Sequence, residues 1–562
     1  MKLKEIPYSR PDIDKMLKKC EELSKAFANA ESADEQLKIF KEFEDEKGHF
    51  LTYECLSNIR NSIDTVDPFY LEEQAFYDKW SPTATMCFNN FKKVIMESRF
   101  KDELRKELGD YFFDCLEMEQ KSFSPEIMDL MTEENELCSK YENLYASARI
   151  DFDGKVLNLS QLSAYRQNPD RAVRKAAVEA EGKFFDSHKE EIEGIYDRLV
   201  KNRTEQAKKL GFNNYVEMAY VKRCRSYSPE DVAAFRQQVL EVMVPKNVEY
   251  KKQQATNIGV NDFKFYDDDF SYADGNPMPK YSIPEILKRT KQMFGEMSAE
   301  TKELIDLMYN NELFDIEPRN GKRAAGYCVS IEDYGYPFIF FNANGTQSDV
   351  KTLTHECGHA LAAYTAQKLI KYPSVRHAPV EACETHSMSM EFLTSPWHHL
   401  FFEEDTAKYS ESHALSALLF IPYSVIVDYF QELVYLNPDW TPEQRNEAWL
   451  KLEKQFRPYN DFANLPFYSR GAGWQRQIHI TCMPFYYIDY SIAQTLALQF
   501  FAMYLKDPKS AWEKYMNFTK IGGTKNINDT IDSCGLVSPF KAGSLKDICQ
   551  PVYEWVDNLN KK

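Results

Sequence analysis

The stretch TLTHECGHALAAYTAQ, residues 352–367, carries two histidines four positions apart, His355 and His359, with Glu356 directly after the first. Taken with the SDVK that precedes it, the segment runs for about five turns without proline, and Ser348 or Asp349 stands at its start as an N-cap. On such a helix the two imidazoles leave one face a single turn apart, close enough to meet one metal ion. Glu356 lies about 100° round the helix, where it reaches water at that metal rather than the metal itself. The chain has only 10 histidines in 562 residues. An H-E-x-x-H pattern then arises by chance with odds of roughly 1 in 60, from the product of residue frequencies. The competing reading is a pair of core histidines, and a metal site requires a third ligand.

The next residues, KYPSVRHAPV, contain Pro373 and Pro379 and reverse the chain, so that VEACETHSMSMEFL (380–393) starts a second helix beside the first. Glu384, Met388 and Glu391 fall on one face of it, at spacings of four and three. Two carboxylates flanking an apolar residue are costly to bury unless something cationic receives them. A metal ion and its histidines meet that need, with Glu384 as third ligand and Glu391 as acceptor for an imidazole N–H. The alternative is a solvated acidic edge.

Elsewhere the chain reads as mainly helical. Ser32, Ser124, Ser228 and Thr441 each stand ahead of an acidic or proline-led first turn. Strand patterns are confined to RIDFDGKVLNL (149–159), with an Asp-Gly turn, and AAGYCVSIEDYGYPFIFFNANG (324–345), which runs directly into the histidine helix. The first hairpin separates two helical blocks and suggests a boundary near residue 160, between a helical region 1–160 and a catalytic domain 161–562. The apolar run ALSALLFIPYSVIV (414–427) is too short to span a bilayer and contains Pro422, so it reads as a core helix.

Hydrophobic residues make up 43% and charged residues 28%, the balance of a folded globular protein. A net charge of -18 repels phosphate backbones and anionic lipid, which argues against nucleic-acid and membrane partners. The N-terminus has lysines but no following apolar block and does not read as a secretory signal. Twelve cysteines are scattered without a C-x-x-C pair, a pattern of reduced thiols that suits the cytoplasm.

HECGHA followed 25 residues after His359 by ETHSMSME resembles the thimet oligopeptidase and oligoendopeptidase F family of zinc peptidases. The resemblance implies one zinc ion per chain held by His355, His359 and Glu384, with Glu356 as general base. PFIFFNANGTQSDVKTLTHE is similar to the family's strand-then-helix approach, in which an edge strand lies along the cleft and pairs with a peptide backbone. Taken singly, Phe338, Ile339, Phe340 and Phe341 read as core residues.

Farther on, WQRQIHITCMPFYYIDYSIAQ (474–494) reads by itself as an aromatic helix packed in a core. It also resembles the family's histidine and tyrosine segment, closest to the oligoendopeptidase F branch, because the paired glycines of thimet oligopeptidase are absent. This implies His479 and Tyr490 as donors to the oxyanion, with Tyr486 and Tyr487 binding substrate.

The implied fold is mainly α, two helical lobes enclosing a deep central channel, with a small sheet beside the active-site helix. The implied function is zinc-dependent hydrolysis of internal bonds in short unstructured peptides. Two alternatives remain. One is a zinc carboxypeptidase on a similar scaffold, with Arg470 or Arg476 holding a terminal carboxylate. The other is a peptide-binding protein without catalysis, for which an intact Glu356 would have no use.

Overall fold

The computed structural model describes residues 1–559, and the chain is mainly helical with two small sheets. It divides into two compact units, each gathered from three stretches of chain. The first unit comprises Met1–Glu117, Met278–Thr406 and Met503–Leu536; the second comprises Met118–Pro277, Ala407–Ala502 and the residues from Val537 onward. Residue 160 lies inside the second unit.

The helix starts follow their caps. Ser32 accepts from the Glu35 amide at the head of Ala33–Ile63. Ser228 with Asp231, and Thr441 with Gln444, form reciprocal capping boxes on Pro229–Gln238 and Pro442–Phe456. Ser124 caps only a single 3-10 turn, Pro125–Ile127, which leads into Met128–Ala146.

In the first unit, aromatic side chains from the N-terminal helices build the core. Phe27, Phe40 and Phe43 meet Phe91, and the Phe43 and Phe91 rings stack with centroids 3.7 Å apart. In the second unit, Tyr141, Phe185, Phe467 and Tyr468 belong to a comparable cluster. The run 414–427 lies within Thr406–Leu436, a helix that carries Pro422 in its interior without ending there. The helical run that contains it, Ser395–Leu436, is longer than the apolar stretch suggests, and by length and composition it is sufficient to cross a membrane. Its most apolar window is 67% buried inside the protein.

Strands β1 (Ile150–Phe152) and β2 (Lys155–Leu157) form the first hairpin. Asp153 and Gly154 between them both take positive φ, 52° and 69°, as a two-residue turn of this hand requires. The second sheet has β3 (Phe314–Asp315), β4 (Tyr327–Ile331) and β5 (Tyr336–Phe340) in the order β3-β5-β4. This corrects the expectation of an edge strand before the histidine helix: β5 is the central strand, and β4 is an outer one. The physical reason lies in the side chains. Phe338, Ile339 and Phe340 are all fully buried, so both faces of β5 are covered, as a strand with apolar residues in succession demands.

Candidate active site

The histidine helix spans Gln347–Leu369 and belongs to the first unit. Its N-cap is Thr346, whose hydroxyl accepts from the Ser348 amide at 3.3 Å, and not Ser348 or Asp349. Thr346 has the extended backbone that a cap needs, whereas Asp349 is already helical and turns its carboxylate back onto the amides of Asn344 (2.9 Å) and Gly345 (2.7 Å). Asp349 thereby fixes the turn between β5 and the helix.

The glutamate helix spans Val380–Leu393, the bounds read from the sequence, and packs against the histidine helix. His355 faces Glu391 while His359 faces Glu384, so the two helices run antiparallel. Gly358 sits at their closest approach. A Cβ there would lie 2.6 Å from Ser387 Cα and 2.7 Å from the His386 carbonyl oxygen. The helices therefore meet backbone to backbone, and only glycine permits it.

That approach assembles the donor set. The ligand atoms of His355, His359 and Glu384 all lie within 4.8 Å of one another. Glu384 Oε2 is 3.5 Å from His355 Nε2 and 3.7 Å from His359 Nε2. These separations are too long for good hydrogen bonds. They suit ligands around a common centre: tetrahedral bonds of about 2.1 Å put donor atoms about 3.4 Å apart. His355 Nδ1 lies 2.7 Å from Glu391 Oε1, which leaves Nε2 for the cation. Glu356 is buried beside them, and its Oε2 has no hydrogen-bond partner among the described residues.

The electrostatics point the same way. Glu356, Glu384 and Glu391 are all buried, and burial pushes the Glu356 carboxyl up to about 7. Burial works against protonation of His355, but Glu384 and Glu391 override it and raise the imidazole to about 10. His359 falls to about 4 through its burial and the neighbouring His355 charge. Two buried carboxylates, Glu384 and Glu391, thus draw a proton onto His355 where a metal cation fits.

The second unit holds the other candidates. His479 packs among Tyr486, Tyr487 and Tyr490 at ring-centroid distances of 5.9, 4.9 and 6.1 Å. Tyr487 and Tyr490 are on the helix Tyr487–Lys506, and Tyr486 immediately precedes it. Burial, followed by the charge of Arg223, lowers the His479 imidazole to about 4, so it is neutral near pH 7.

Three features escape sequence reasoning. Gly358 occupies a variable position of the H-E-x-x-H pattern, and its role depends on the partner helix. Asp489, buried between the tyrosines, accepts from Arg223 at 3.0 Å, from Arg225 and from Tyr227 at 3.0 Å. Arg225 also donates to the Phe485 carbonyl, while Arg223 lies 4.6 Å over the Tyr486 ring. Gln477 bonds to His479 Nδ1 at 2.7 Å. For Asp489 and Gln477 the only signal is that they lie inside the aromatic segment.

Comparison with known proteins places the chain in a family. Residues 3–123 match the peptidase M3 N-terminal domain, and residues 164–548 match peptidase family M3. A solved PZ peptidase A with an inhibitor is 40% identical, with a TM-score of 0.92 and 99% of each chain covered. A Bacillus anthracis structure described as an oligoendopeptidase F is also 40% identical, with a TM-score of 0.87 over 99% of this chain and 98% of that one. An oligoendopeptidase F homolog of Lactococcus lactis is 22% identical over 55% of this chain; the match spans about half of that relative, 54% of its length. By the extent of the family match, which takes in both metal-site helices and the histidine and tyrosine segment, the chain belongs to peptidase family M3.

Proposed function

We propose that the protein is a zinc-dependent oligoendopeptidase that hydrolyses internal bonds of short, unstructured peptides. The observation that carries this reading is the His355, His359 and Glu384 donor set with the unpartnered Glu356 oxygen beside it. Two imidazoles and one carboxylate are a ligand set of catalytic zinc in peptidases. When bound, zinc supplies Lewis-acid polarisation of a carbonyl and lowers the pKa of water towards neutrality.

The chain's own groups do the rest. Glu356 takes a proton from the attacking water and passes it to the leaving nitrogen, a task for which a carboxyl near pKa 7 is matched. Glu391 holds the His355 ring in orientation through Nδ1. For His479 and Tyr490 the proposed role is to donate hydrogen bonds to the oxyanion, with Tyr486 and Tyr487 binding substrate. β4 has no strand paired on its outer side among the described residues, and it offers backbone groups to an extended peptide. We propose a cytoplasmic setting, which the twelve cysteines support because none is in a disulfide.

The carboxypeptidase reading needs a cation for the terminal carboxylate. Arg470 is paired with Asp186, and Arg476 with Glu181 and Tyr468, so each candidate already has an acceptor within the fold. The test is an internally quenched peptide blocked at both ends, assayed before and after chelation and zinc return. Cleavage that chelation abolishes and zinc restores is expected. Cleavage only after the C-terminus is unblocked would establish the carboxypeptidase instead, and peptide binding without cleavage would leave a binding protein.

A further inference from the structure

The environment of His479 has a direction that the distances alone do not convey. Gln477 Nε2 is 2.7 Å from His479 Nδ1. Gln477 Oε1 accepts from the Tyr423 hydroxyl at 2.8 Å. With its proton on the Gln477 carbonyl, the Tyr423 hydroxyl marks which end of the amide faces it. The amide must then turn its NH2 towards His479, and an NH2 can only donate, so Nδ1 accepts. In a neutral imidazole the proton is left on Nε2.

We propose that Gln477 is a positioning residue that holds His479 in the Nε2–H tautomer, through a hydrogen-bond chain that runs from the Tyr423 hydroxyl through the Gln477 amide. The chain makes the ring nitrogen opposite Gln477 an obligatory donor. The use of that N–H at the oxyanion rests on the donor role proposed for His479; the tautomer does not.

The groups facing His479 are the Arg223 guanidinium, whose charge disfavours the imidazolium, and the rings of Tyr486, Tyr487 and Tyr490. Nothing in that set competes with Gln477 for Nδ1 as a charged acceptor. Replacing the amide by a carboxylate reverses the demand at this atom: Gln477→Glu can only accept, so Nδ1 must carry the proton. The variant ring is then either the Nδ1–H tautomer, with no proton on Nε2, or the imidazolium, with both.

The test uses protein labelled with 15N in the histidine rings, with His479→Asn to assign the signal. In the unmodified protein at neutral pH, Nε2 of His479 should be the protonated nitrogen and Nδ1 the bare one. Gln477→Glu should show a protonated Nδ1. Above the variant's raised imidazole pKa its kcat should fall about 100-fold with KM little changed, the cost of one lost oxyanion donor. As the pH falls the imidazolium regains Nε2–H, so the ratio of variant to unmodified kcat should rise. Gln477→Met, which keeps the length and removes the bonds, should lose activity without that recovery. A protonated Nδ1 in the unmodified protein overturns the proposal, with no variant needed. If both tautomers are as stated but Gln477→Glu retains full kcat, the positioning role of Gln477 stands and the oxyanion role of His479 falls.

Discussion

Glu391 touches no substrate in the proposed reaction, yet it should control metal affinity. Its Oε1 lies 2.7 Å from His355 Nδ1, and its side chain is 4% exposed. Lys351, the other cation near it, is 3.8 Å from Oε2 and has a side chain 44% exposed, so screening makes it a weak partner. Replacing Glu391 by alanine frees the His355 ring to rotate and to change tautomer, and it leaves Nδ1–H without an acceptor in a buried place. One charge-assisted hydrogen bond contributes about 1.5–3 kcal/mol. That matches the 10- to 100-fold loss, about 1.4–2.7 kcal/mol, that removal of a ligand-orienting carboxylate causes at metal sites generally. Glu391→Gln keeps an acceptor in the same space and should lose less. The assay is competition for zinc between metal-stripped protein and a chromophoric chelator at one pH and salt concentration, with far-UV circular dichroism as a check of folding. Affinity should fall in the order unmodified, Gln, Ala. If Glu391→Ala binds zinc within threefold of the unmodified protein, the orienting role is refuted, and with it the claim that Glu391 prepares His355 for the cation.

Glu356→Gln should retain zinc and bound peptide but lose at least 100-fold in kcat, since the amide fills the same space and cannot accept a proton; turnover near the original rate would reject Glu356 as base. Gly358→Ala should weaken both stability and zinc binding, because its Cβ falls 2.6 Å from Ser387 Cα and must push the glutamate helix away. Overpacking of this kind costs about 1–3 kcal/mol, and unchanged denaturant midpoint and zinc affinity would show that the helices yield freely. His479 has a pH signature of its own. Its folded-state pKa of about 4 lies below the usual 6.5, so the neutral ring's contribution is complete above pH 6.5 and is lost as pH falls towards 4, where the unfolded chain takes up a proton first. Allowing for partial exposure, the loss by pH 5 is on the order of 1 kcal/mol. His479→Asn should therefore lose less stability between pH 7 and pH 5 in denaturant unfolding; equal losses would refute the depressed pKa.

Much of the candidate site was legible from order along the chain. Helical periodicity is local, so two histidines four apart in a proline-free run share a face wherever the helix ends up. The same logic gave Val380–Leu393 and the face shared by Glu384 and Glu391. It was less reliable at ends and edges. The cap fell on Thr346 rather than Ser348 or Asp349, because the choice among neighbouring polar residues depends on which one keeps an extended backbone. β5 became central because a two-residue strand, β3, pairs with it from a point more than twenty residues upstream, too short to leave a pattern.

What the sequence determined by itself is the chemistry on offer: the residue types of a metal-dependent hydrolase, their helical faces, and a mainly α chain. What only the tertiary structure decided is which of those groups meet, and in what state. Gly358 matters because of a backbone that follows it by almost thirty residues. Asp489 gathers Arg223, Arg225 and Tyr227 from more than 260 positions away. The proton position on His479 depends on a chain through Gln477 to Tyr423, 54 residues apart in sequence. Local spacing fixes the direction of a side chain relative to its own helix, whereas hydrogen-bond polarity, burial and charge are set by whatever the fold packs against it.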